Sequence, residues 1–174
     1  MYYGTYRTKT YIAADWTGDK DAVDQLYKWN NSNYWALSFT DAHDVTQARD
    51  GSLNCSIKSS LKKRLDISKT FVLIVGNQTK NLRSGYCSYC PNYNQWFVQC
   101  THGYKVDNRS YIDYECAKAV EAGIKIVVLY NAAAVDRSKC PDILKDRGNH
   151  VPMRLPSYDG QVYWNYQAVK NALS

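Results

Sequence analysis

Apolar positions recur with two different periods along the chain, and the alternation between them predicts the architecture. Thr10–Ala14 (TYIAA) reads as a first strand, and the turn Asp15-Trp16-Thr17-Gly18-Asp19 behind it is rich in helix-start residues. Val23, Leu26 and Tyr27 then line one side of a helix that fades at Asn30-Asn31-Ser32-Asn33. Trp35–Phe39 predicts a second strand, followed by Thr40-Asp41-Ala42-His43-Asp44 and a polar connection through Arg49-Asp50-Gly51. Leu53, Ile57, Leu61 and Leu65 recur at four-residue steps, the buried stripe of a second helix. Phe71–Val75 (FVLIV) is the most apolar strand and predicts the centre of the sheet, closed by Gly76-Asn77-Gln78-Thr79.

The rhythm breaks over residues 80–109. A strand-to-helix connection needs only a few residues, so this stretch reads as an insertion, and long loops in compact domains tend to be functional. Ser110 with Asp113 three residues on then predicts a capped helix start, and Ile112, Cys116, Ala119 and Val120 form its apolar face. Gly123 stops the helix, and Ile124 with Ile126–Leu129 reads as a strand covered on both sides. After an irregular polar stretch over 131–149, residues 150–155 predict a short edge strand demoted by Pro152, and Trp164–Leu173 a closing helix. Strands alternating with helices predict an α/β domain with a doubly wound, mostly parallel sheet, flavodoxin-like in order, over residues 1–174. Ligands of such sheets sit beyond the carboxyl ends of the strands, where the strand order reverses. The residues delivered there are Asp15, Trp16, Gly76 and Asn77, with Asp41, His43 and Asp44 nearby and Glu115 approaching from the next helix.

Both glutamates of the chain, Glu115 and Glu121, lie in that one helix. At about 100° per residue Glu121 points away from the apolar face, while Glu115 sits on its margin beside Tyr111, Lys118 and Ala122. A carboxylate half out of water at a core's edge suits a catalytic acid, whereas a solvated flank of an amphipathic helix fits the periodicity slightly better.

Charge and composition narrow the partners. The net charge of +6 is scattered, and the one basic cluster, Lys58, Lys62, Lys63 and Arg64, reads as the solvated outer face of a helix, so a nucleic-acid partner is not expected. No apolar run reaches membrane-spanning length, and MYYGTYRTKT has no apolar signal core, so a cytoplasmic protein is expected. Six cysteines in that compartment are expected as thiols or metal ligands. Cys87-Ser-Tyr-Cys90 followed by Cys100-Thr-His102 supplies the ligand types of a structural zinc site, although C-x-H is tighter than finger spacing; free thiols stabilising a loop, or a disulfide formed after purification, are the alternatives. No Walker loop, G-x-G-x-x-G or G-x-S-x-G is present, which leaves P-loop, Rossmann and serine-hydrolase chemistry unsupported.

Four blocks carry a resemblance: TYIAADW, FTDAHD with ARD after it, LKKRLDISKTFVLIVGNQTKNL, and YECAKAVEAGIKIVVLYN. In this order, across residues 10–131, they resemble the bacterial TIR-like family of the Thoeris anti-phage systems. The resemblance implies a flavodoxin-like fold. It also implies cleavage of the nicotinamide–ribose bond of NAD, an NAD nucleosidase or ADP-ribosyl cyclase activity. The product would be a cyclic or conjugated ADP-ribose signal that activates a separate effector protein. The family's catalytic glutamate corresponds to Glu115. The Cys-rich segment is longer than the connection in many members.

The residues suit that chemistry. Nicotinamide departs from NAD as a neutral molecule, so the leaving group needs no general acid. One carboxylate can stabilise the ribosyl cation and orient its hydroxyls. Trp16 then serves as a stacking surface, Asp15 and Asp41 hold ribose hydroxyls, Asn77 and Tyr111 line the rim, and Lys118 meets phosphates. Two other readings share the fold: a non-catalytic TIR-like module that assembles with like copies into a homo-oligomer, and a nucleoside N-glycosidic transferase.

Overall fold

The computed structural model describes residues 6–43 and 53–174; Asp44 and Arg49-Asp50-Gly51 lie outside the described residues. In chain order the elements are β1 (Lys9–Ala13), α1 (Lys20–Asn30), α2 (Asn54–Asp66), β2 (Ser68–Val75), β3 (Tyr93–Asn94), β4 (Gln99–Cys100) and α3 (Tyr111–Glu121). They continue with β5 (Lys125–Tyr130), β6 (Asn149–Pro152), β7 (Arg154–Leu155), β8 (Tyr163–Trp164) and α4 (Tyr166–Leu173). The main sheet runs β1-β2-β5-β6 with every pairing parallel.

Strand parity divides the core. Tyr11, Ala13, Phe71, Leu73, Val75, Val128 and Tyr130 face α2 and α3. Ile12, Ala14, Val72, Ile74, Val127 and Leu129 face the other way, onto Val23, Leu26 and Trp29 of α1 and Val169 and Ala172 of α4. Side chains alternate between faces along a strand, so burial on both sides requires the near-continuous apolar runs that β2 and β5 carry.

The predicted second strand at Trp35–Phe39 does not form. Ala36 and Ser38 have φ of 44° and 59°, left-handed values that break an extended run. Asn30 takes the place of a strand partner, donating from Nδ2 to the Phe39 carbonyl (3.0 Å) and accepting from the Phe39 N–H (2.9 Å). Among the described residues one parallel bridge, Thr10 with Asp41, remains on the outer side of β1. The chain thus keeps the flavodoxin-like order, with its second strand reduced to that bridge and the reversal at β1 and β2. The edge strand of the 150–155 region is β6, and Pro152 is its last residue, where a missing N–H does least harm.

Candidate active site

α3 begins as its sequence predicts. The Ser110 hydroxyl accepts from the Asp113 N–H (3.0 Å) and donates to the Asp113 carboxylate (2.7 Å), which fixes the first turn. Gly85 has φ of 100°, and a Cβ there would meet the Tyr111 backbone N at 2.8 Å. This close approach lets the Ser84 carbonyl accept from the Tyr111 N–H (2.8 Å) and brings the loop after β2 against the helix start. One turn on, Glu115 faces inward and is buried at 7% exposure. A solvated flank is excluded for it; the solvated glutamate is Glu121, paired with Lys118 at 2.5 Å.

Glu115 lies at the wall of a cleft of about 310 Å³, within the range of small-ligand sites. Asp15 and Trp16 beyond β1, His43, Arg64 of α2, Ser84 and Tyr111 form its other polar and aromatic surfaces. Below the carboxylate, Tyr11 of β1 is fully buried and its hydroxyl donates to Glu115 Oε1. Burial pushes the Glu115 carboxyl up to about 7, against the opposing pull of the Tyr11 hydroxyl and the Arg64 guanidinium. The Tyr11 phenol is driven well above its ordinary value by burial and by the neighbouring carboxylate, so it stays a donor. The outcome is one carboxyl group poised to change charge near neutrality, in a hollow that a ligand can enter.

At the rim Trp16 is 45% exposed, edge-on to His43 with centroids 5.1 Å apart. His43 also lies 5.3 Å from the Tyr11 ring. Its orientation is set by Asp41, whose Oδ1 contacts both the His43 backbone N–H (3.0 Å) and Nδ1 (2.9 Å), while the Tyr27 hydroxyl binds the other carboxylate oxygen. Burial alone would raise the Asp41 carboxyl; the contacts from His43 and Tyr27 outweigh it and hold it low.

Of the residues expected at the site, Asp15, Trp16, Tyr111 and Glu115 share the cleft. Asp41 does not line it and acts through His43. Lys118 lies over the Tyr114 ring and binds Glu121, on the outer side of α3. Asn77 accepts from Lys139 (2.7 Å) and belongs to a separate hollow of about 410 Å³, with Asp19, Asp21, Asn131 and Arg154. Asp15 is common to both hollows, so a ligand longer than the cleft can run past it. In the roomier hollow Arg154 is already engaged by Asp21 and the buried Asp19 carboxylate by Asn131, so the Glu115 cleft is the better candidate for chemistry.

Two basic residues assigned to a solvated face are buried instead: Lys58 at 4% and Arg64 at 7% exposure. Periodicity contained the signal, since Arg64 stands seven residues after Ile57 and Lys58 seven before Leu65, both on the apolar stripe. Among the described residues no group of three or more His, Cys, Asp or Glu side chains is arranged to hold a metal ion as it stands. Cys87, Cys90 and Cys100 do line one small cavity, but His102 is exposed and outside it, and Cys55 of α2 stands there in its place.

A family model described as Thoeris protein ThsB, TIR-like domain, matches residues 10–84, and no curated protein matches the chain. The matched stretch holds β1, α1, α2 and β2, hence Tyr11, Asp15, Trp16, Arg64 and Ser84 of the site, and stops before α3. Over residues 10–84 the chain is thus similar to the Thoeris TIR-like family, and its strand order is the one that such a domain takes.

Proposed function

We propose that this chain acts in TIR-type defence as an NAD-consuming enzyme. In this reading it cleaves the nicotinamide–ribose bond and releases a cyclic or conjugated ADP-ribose signal to a separate effector. The observation that carries it is the buried Glu115 carboxyl at the wall of an open cleft, with Trp16 and Asp15 at its rim. Heterolysis of the N-glycosidic bond sends the electron pair to the pyridinium nitrogen, and nicotinamide leaves uncharged. The positive charge stays on the ribosyl carbon, where the Glu115 carboxylate can stabilise it in a water-poor site. Capture by a nucleophile of the same molecule closes a ring; capture by another acceptor gives a conjugate, and capture by water, with loss of a proton, gives ADP-ribose. Trp16 offers the only large aromatic face immediately beyond β1, suited to the nicotinamide, and the Asp15 carboxylate suits ribose hydroxyls.

The test is nicotinamide release from NAD, alone and with phage components as trigger. Wild type should turn NAD over, Glu115→Gln should abolish turnover while remaining folded, and Glu121→Gln should match wild type. Equal loss in both variants would remove Glu115 from the chemistry. Turnover of a free nucleoside with none of NAD would favour the transferase reading, and silence toward both in every condition the non-catalytic module.

A further inference from the structure

We propose that Cys55, Cys87, Cys90 and Cys100 form a tetrathiolate site for zinc that staples the insertion over residues 80–109 to α2. Four sulfur side chains from separated segments line a single cavity of about 10 Å³, room for about one atom-sized guest. Cys55 comes from the first turn of α2, Cys87 and Cys90 from a 3₁₀ turn at Cys87–Tyr89 and its end, and Cys100 from β4. The turn has the shape of a metal knuckle: the Cys90 N–H donates to the Cys87 carbonyl (2.9 Å), and the Asp107 N–H donates to the Cys87 sulfur (3.2 Å). A donor onto sulfur stabilises negative charge there, as partners of bound thiolates do. Zinc suits this ligand set because it takes four sulfurs without a geometric preference of its own.

Charge and packing point the same way. Four thiolates on a dication leave a net charge of −2, and binding releases up to four protons. Lys105 lines the cavity, and Lys58, one turn after Cys55, is buried with its ammonium on the Asp107 and Arg109 carbonyls (3.0 and 2.8 Å). Beyond these polar ties the insertion has little apolar packing to hold it. Beyond the 3₁₀ turn Thr79–Asn81 at its start, its regular structure is one further 3₁₀ turn and two strands of two residues each; Leu82 is half-buried, Cys87 is its only buried apolar side chain, and Trp96 and Phe97 are exposed. A segment without a core of its own is where a metal staple contributes most. The sulfurs surround the cavity without sharing one coordination sphere; an ion would draw the short turn and hairpin inward as each thiol gives up its proton to bind it.

The full chain, purified under reducing conditions without chelator, should contain about one zinc per chain. Cys55→Ser should lose most of it and His102→Ala should keep it. Cobalt-loaded wild type should show the charge-transfer absorption of four thiolates and the visible bands of a tetrahedral ion. If Cys55→Ser fails to fold, mass-spectrometric alkylation of wild type decides: zinc should protect these four cysteines together and a chelator should expose them together. Metal-free protein whose Cys55 labels equally with and without added zinc overturns the proposal. So do disulfides among the four in freshly purified protein, or a metal that survives Cys55→Ser and departs in His102→Ala.

Discussion

Replacing Glu115 by glutamine should make the protein more stable at alkaline pH while abolishing its chemistry, and the pH dependence of that gain is calculable. Burial lifts the carboxyl from 4.5 to about 7. A group whose folded pKa is raised holds its proton more tightly when folded. Its contribution is therefore fully present below about 4.5 and is lost as pH rises through about 7. One unit corresponds to about 1.4 kcal/mol, so the whole interval amounts to about 3 kcal/mol. Between about pH 5 and pH 8 the loss is about 2.5 kcal/mol by the same linkage. Glutamine fills the same space, carries no charge and still accepts from the Tyr11 hydroxyl. The stability of Glu115→Gln relative to wild type should accordingly rise by about 2.5 kcal/mol from pH 5 to pH 8, or about 5–10 °C in melting temperature for a chain of this size. Urea unfolding of both proteins across that range is the assay, and differencing the two curves cancels every other titrating group. Parallel curves would refute the reasoning, because they would mean that Glu115 titrates at its ordinary value and is not buried as described.

Tyr11→Phe keeps the stacked contact with Phe71, centroids 5.8 Å apart, and removes the hydroxyl that donates to Glu115 and also contacts Arg64. A hydrogen bond to a charged group is worth about 1.5–3 kcal/mol, so the acid limb of the NAD turnover profile should move up by about 1–2 pH units; a limb that stays in place would show that Tyr11 does not hold the carboxylate. Trp16→Ala should lower kcat/KM for NAD about 5- to 150-fold, the value of one stacked ring, with a loss of stability well below the about 3–5 kcal/mol of a core aromatic. A large fall in melting temperature with unchanged kinetics would make Trp16 a packing residue. Gly76→Ala would place a Cβ 1.9 Å from Asp19 Oδ1, a carboxylate held by Asn131 at 3.0 Å, and should destabilise by about 1–3 kcal/mol in denaturant titration; a neutral outcome would show that this rim yields freely.

Much of this arrangement is legible in the chain because both periods are clean where the core is. FVLIV and IVVL announce a sheet buried on two faces, and β2 and β5 sit at its centre. The capped start at Ser110 and the stop at Gly123 bracket α3 within a residue or two. Trp35–Phe39 misleads because its composition is that of a strand while its backbone passes through left-handed values at Ala36 and Ser38, which no apolar pattern encodes. The site's basic partner was hidden by its neighbours: Lys62 and Lys63 are solvated, and only strict counting from Ile57 separates Arg64 from them. The choice between Asp15 and Asp41 as lining residue turns on contacts by Tyr27 and His43 that no spacing rule supplies. Cys55 is 32 residues upstream of Cys87 in another element, so motif spacing within the insertion could not reach it.

The environment of Glu115 couples its charge to what occupies the cleft. Burial alone would keep the carboxyl neutral throughout the physiological range; the Tyr11 hydroxyl and the Arg64 guanidinium pull it back until the two tendencies balance near 7. These counterweights come from β1 and α2, which both pack directly against α3, so the charge state depends on the whole α2–α3 face. On the NAD reading the incoming nicotinamide carries a positive charge. A cation against a poised carboxyl favours its ionised form, whereas a neutral ring of the same shape adds only desolvation. The substrate would thus recruit the charge that its cleavage requires, and the departing neutral nicotinamide would leave that charge facing the ribosyl cation alone.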